Sequence, residues 1–175
     1  MRSWRQMGAA IVSFVLVAVL GPPALAAQKS DPADSGLDLD ISLIKFVEDP
    51  EDVATLTIRT HSGWKCGALR PGTGRSLKWF FDGSGDNGFD LVGKFVCRDG
   101  TLVFELRSTD GSSQYEPLIA ERPNRRTVKV KMTLDLTELD SNNLDLIAKS
   151  TDTSGETCVE DCVDRAPDAG RMKAY

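Results

Sequence analysis

Phe89-Asp90-Leu91-Val92-Gly93-Lys94-Phe95-Val96-Cys97-Arg98-Asp99-Gly100-Thr101-Leu102-Val103-Phe104-Glu105-Leu106 is the stretch whose reading decides the fold class. Phe89, Leu91, Gly93, Phe95 and Cys97 recur at every second position, with Lys94 and Arg98 between and beyond them. Side chains alternate across a strand, so this period of two marks a half-buried strand and not a helix. Asp99-Gly100 is the residue pair that a tight two-residue hairpin turn favours, and Leu102, Phe104 and Leu106 resume the alternation after it. The stretch reads as a β-hairpin.

The same period runs outward along the chain. Leu37, Leu39, Ile41 and Leu43 alternate with Asp38, Asp40 and Ser42, and Ala54, Leu56 and Ile58 with Thr55, Thr57 and Arg59. Leu77, Trp79 and Phe81 form a third set. Val128, Val130, Met132 and Leu134, set among Thr127, Lys129 and Lys131, form another, and a last strand is expected near Leu144 to Lys149. No long stretch carries a helical stripe; Leu136 to Leu139 has room for one turn. An all-β fold follows, an antiparallel β-sandwich, jelly-roll-like, of about 7–9 strands, with a closed barrel as the alternative.

Residues 1–26 read as an export signal: Arg2 and Arg5, an apolar run from Ala9 to Leu20, and Ala24-Leu25-Ala26 as a small-x-small cleavage site. The run is too short to span a bilayer, so no membrane span is expected after cleavage. Residues 27–36 are expected to be a flexible lead-in, 37–150 the sandwich, and 151–175 an irregular disulfide-containing tail. A secreted, extracellular, single-domain protein is the expectation, with one copy as its working state. The chain has 175 residues and a net charge of −5, which argues against nucleic acid as a partner.

Export makes disulfides the expected use of the four cysteines. Three pairings are open; similar local character favours Cys66–Cys97 and Cys158–Cys162. Between Asp82 and Asp90 lies a Gly-rich turn in which Asp82, Ser84, Asp86 and Asp90 are candidate calcium ligands: Asp82, Ser84 and Asp86 have the spacing of the first half of a calcium loop, while Asn87 and Gly93 stand where an EF-hand has Gly and Glu. The alternative there is a solvated turn. Asp31, Asp34, Asp38 and Asp40 form a second acidic group; Asp38 and Asp40 share one strand face, where a cation or solvent must relieve their repulsion. Trp64, Phe80 and Tyr115 are candidates for a sugar-stacking platform, because Trp79, Phe80 and Phe81 cannot all face one core. His61 lacks a nucleophile elbow to work with. Arg122 to Arg126, with Lys129 and Lys131, is a small basic cluster able to meet an anionic surface polymer.

Trp64, then Leu77-Lys78-Trp79-Phe80-Phe81-Asp82, Gly85-Asp86 and Phe89-Asp90, followed by a hairpin, resembles family-nine-type carbohydrate-binding modules and the related DOMON-like sandwiches, over about Leu37 to Lys149. The chain also looks like small exported proteins of actinobacterial style. The resemblance implies a sandwich with a calcium ion and a ligand face. The expected function is a secreted, non-enzymatic binding module, calcium-stabilised, for an extracellular glycan or cell-envelope polymer. A protein-binding or inhibitory module, with Ser108 to Glu116 as its contact loop, is the second reading, and a carboxylate-dependent hydrolase the third.

Overall fold

The computed structural model describes residues 25–35, 37–85, 88–134, 139, 144–154 and 162–174. Twelve strands appear there: β1 (Leu25–Ser30), β2 (Ile41–Glu48), β3 (Val53–Thr60), β4 (Arg75–Asp82), β5 (Leu91–Arg98), β6 (Thr101–Ser108), β7 (Leu118–Ile119), β8 (Glu121–Asn124), β9 (Thr127–Thr133), β10 (Asp145–Asp152), β11 (Cys162–Ala166) and β12 (Met172–Lys173). They build two antiparallel sheets. One has the order β1-β2-β3-β9-β8; the other runs β11-β10-β4-β5-β6-β7, with β12 also paired to β10. A 3₁₀ turn at Cys66–Leu69 is the one helical element with several residues among those described. The sheets face each other as an antiparallel β-sandwich.

The alternation read from sequence sets what lies between the sheets. Ala54, Leu56, Ile58, Val128, Val130 and Met132 come from the smaller sheet; Leu77, Trp79, Phe81, Phe95, Phe104 and Leu106 come from the larger, all buried. At the β5–β6 hairpin, Asp99 and Gly100 have φ of 49° and 82°, the two positive angles that the turn residues predict. Cys66 and Cys97 are disulfide-bonded, which ties the 3₁₀ turn to the inner face of β5.

Five expectations are corrected. The lead-in is not free: residues 25–30 pair along β2, from Leu25 opposite Glu48 to Ser30 opposite Leu43, so the N-terminal segment becomes an edge strand. The described part of the tail is not irregular, since β11 pairs with β10 over Cys162 to Ala166. Leu43 does not join the core. The register shifts between Ile41 and Leu43, and the bulge turns Ile44 and Phe46 inward instead. Phe89 precedes β5 and packs on Phe80, 5.3 Å between ring centroids. Among the described residues the strands number twelve and not 7–9, because short strands such as β7, β8 and β12 lack a strong apolar alternation. Cys162 is disulfide-bonded; Cys158, its expected partner, lies outside the described residues.

Candidate functional site

On β4, Leu77, Trp79 and Phe81 point into the sandwich, so Lys78 and Phe80 point away from it. The antiparallel register then sets Lys78 opposite Lys149 on β10 and opposite Lys94 on β5. Lys149 in turn lies opposite Arg165 on β11. Arg165, Lys149, Lys78 and Lys94 therefore form one row of cations across four strands. Neighbouring strands are about 4.8 Å apart, so the row spans about 14 Å. At its end, Glu105 lies opposite Lys94 but is ion-paired with Arg98. Lys78, Lys94, Lys149 and Arg165 make no ion pair among the described residues. Burial pushes the Lys78 ammonium below its ordinary value, and Lys94, Arg107 and Lys149 push it further.

Beside this row runs a less polar one, Ile147, Phe80 and Val92, ending at Arg107. Phe80 is half-buried, with the Lys149 ammonium 5.2 Å from its ring centroid. Of the three aromatics expected to form a platform, Phe80 alone borders the cations. Trp64 is buried beneath the Arg122 guanidinium, 4.2 Å from its ring centroid. It lines a cleft of about 540 Å³ with Asp38, Lys65 and Arg75. Tyr115 lies against Leu106, Pro117 and Leu118 in a separate apolar cleft. Trp64 and Tyr115 thus line different clefts.

The basic cluster noted in the sequence lies on the other sheet and is diluted. Lys129 faces Thr57 on one side and Glu121 on the other, and Lys131 faces Thr55. Arg122 donates to the Trp64 and Arg125 carbonyls and so braces a loop.

The expected calcium turn has another use for its oxygens. Asp82 Oδ1 accepts the Ser84 hydroxyl and the Gly85 N–H (3.3 and 2.9 Å), while Oδ2 is paired with Arg171. Asp90 Oδ2 accepts the Gly83 and Ser84 N–H groups (2.8 and 3.1 Å). These carboxylates close the hairpin turn. Asp86 lies outside the described residues.

The second acidic group is divided. Asp38 is exposed and 3.5 Å from Arg75, while Asp31 and Asp40 are buried. Asp164, buried on β11, and Asp168, in the turn after it, join them from the far end of the chain. Burial pushes the Asp31 carboxyl up to about 7, and the charges of Asp164, Asp168, Asp34 and Asp40 add to the rise. Burial pushes Asp164 up to about 6, with Asp40 and Asp34 adding and the Ile41 and Arg165 N–H groups opposing. His61 is the nearby base; its Nε2 is 3.1 Å from the Asp31 carbonyl.

An unfolded aspartate titrates near 3.9, so between pH 4 and 7 the folded, metal-free protein holds the extra protons. The stability this lends is complete below about pH 4 and is lost as pH rises through 6 to 7. In EDTA, melting should therefore fall between pH 5 and pH 8, by on the order of 2 kcal/mol. A melting temperature that is flat or rising over that interval would contradict these buried acids.

No family model, curated protein or solved structure matches the chain. Among the described residues, no helix is long and apolar enough to cross a membrane.

Proposed function

We propose that this is a secreted, non-enzymatic binding module that holds an anionic extracellular glycan or cell-envelope polymer across the outer face of its larger sheet. The row Arg165–Lys149–Lys78–Lys94 carries the reading. Like charges directly opposite across strands destabilise a sheet. Here three such pairs follow one another in a chain whose net charge is −5. A linear polymer bearing repeated carboxylate or phosphate groups would bring these cations the ion-pair partners that they lack among the described residues. Phe80, at the border of the row, offers an apolar edge to a sugar ring. The resemblance to carbohydrate-binding sandwiches points to the same ligand class.

The test is retention on immobilised polygalacturonate and on phosphate-bearing wall polymer, each against a neutral polysaccharide. Retention on an anionic polymer is expected, falling roughly tenfold as salt rises from 50 to 300 mM, because the contacts are screened charges. Equal retention on neutral polymer, stronger capture of an oligonucleotide, or no retention on any anionic polymer would overturn the reading.

A further inference from the structure

We infer that the edge of the sandwich where the β1–β2 connection meets β11 carries a calcium site built from Asp31, Asp34, Asp40, Asp164 and Asp168. One oxygen from each of Asp31, Asp164 and Asp168 lies within 4.8 Å of the others, and the same holds for Asp34, Asp40 and Asp164. Calcium binds oxygens at about 2.4 Å, so ligands of one ion are at most about 4.8 Å apart. Asp164 belongs to both triads, which places it at the centre of the site.

Grouping alone would not single out a ligand, since acidic groups are often merely solvated. Burial supplies the second observation. Asp31 and Asp40 are 6% and 4% exposed, and Asp31 Oδ2 and Asp40 Oδ1 are buried with no hydrogen-bond partner among the described residues. A buried carboxylate oxygen without a donor is costly, and two beside a third buried acid ask for a cation. No cation among the described residues fills that need. These five carboxylates make no ion pair among the described residues. Arg165, on the same strand as Asp164, donates instead to the Asp168 and Gly170 carbonyls.

Carboxylate oxygens gathered from a loop, a strand and a turn suit calcium, which accepts six to eight oxygens in flexible geometry, better than magnesium, which keeps its waters. Asp164 Oδ2 already accepts the Ile41 N–H across the edge. An ion there would fasten the segment leading into β2 to β11, and thus one sheet to the other. This inference does not rest on the polymer reading, and its test contains no polymer.

The experiment is calorimetric titration of the EDTA-stripped protein with calcium chloride and, separately, magnesium chloride at pH 7.5, with melting in each state. Saturable calcium binding is expected, raising the melting temperature by about 5–10 °C at a hundredfold excess over the dissociation constant. Asp31→Asn and Asp164→Asn should both lose that calcium-dependent rise. In EDTA, Asp31→Asn should melt at or above the unmodified protein, because it removes a repelling buried charge. A carboxylate with only a structural role would not produce this reversal. Absence of binding heat with identical melting in calcium and EDTA would overturn the site. A full calcium shift in both variants would do the same, and an equal shift with magnesium would overturn the choice of calcium.

Discussion

Gly93→Ala is expected to destabilise the protein by about 3 kcal/mol or more. Gly93 faces the interior of β5, between Trp79 on β4 and Leu106 on β6. The Phe104 ring lies over it: a methyl group at Gly93 would stand 1.9 Å from Cζ and 2.6 Å from both Cε atoms. Backbone strain is not the issue; the missing side chain makes room for an aromatic ring. Phe104 has little room to yield, since it is fully buried and packed against the tilted Phe95 ring with centroids 4.8 Å apart. Inserting a methyl there forces either the ring or the strand to move. Denaturant unfolding of Gly93→Ala and of Gly93→Ala/Phe104→Leu checks this. The second variant should recover part of the loss relative to the sum of the single changes. A Gly93→Ala midpoint within about 0.5 kcal/mol of the unmodified protein would contradict the packing described.

The second large effect is expected at Cys66–Cys97. The bond closes a loop of sequence separation 31, for which the chain-entropy relation gives about 3–4 kcal/mol. It also joins the 3₁₀ turn at Cys66–Leu69, whose Leu69 is buried, to the core face of β5. Cys66→Ser/Cys97→Ser should therefore lower stability by about that amount. The β5–β6 hairpin should survive, because its Asp99-Gly100 turn lies outside the closed loop. Unfolding with and without reductant measures the effect. An unchanged midpoint in reductant, with the thiols shown to be free, would contradict it.

What was legible in the sequence follows from what each signal depends on. β3, β4 and β9 each bury one face against the opposite sheet, so their alternation is local and readable. β2 misled at Leu43 because a bulge shifts the period without leaving a glycine or proline to announce it. β1 and β11 hold their places largely through backbone pairing at the edges, which composition does not record. The outward direction of Lys78 and Lys94 could be read from their apolar neighbours. Their alignment with Lys149 and Arg165 could not, because it depends on pairing between β4 and β10, distant along the chain. Asp31, Asp34 and Asp40 were visible as an acidic group, whereas Asp164 and Asp168 arrive from the opposite end of the sequence. Around Asp82 the oxygen spacing was suggestive for a physical reason. A carboxylate that caps turn N–H groups and one that awaits a cation occupy the same kinds of sequence positions.

The cation row has a stability cost and an inferred ligand, and the two can be measured on one variant. Lys78→Gln/Lys149→Gln removes both members of a directly opposed pair while keeping the length of the side chains. Its melting and its affinity for polygalacturonate and phosphate-bearing wall polymer should be compared with those of Lys129→Gln/Lys131→Gln on the opposite sheet. At low salt, the expected result for Lys78→Gln/Lys149→Gln is a slightly higher melting temperature, since each relieved like-charge pair is worth about 0.2–1 kcal/mol. Its affinity for the retained polymer should fall at least tenfold, while the control on the opposite sheet binds nearly as before. Undiminished binding by Lys78→Gln/Lys149→Gln, or a loss equal to that of the control, would contradict the assignment of this face to an anionic polymer.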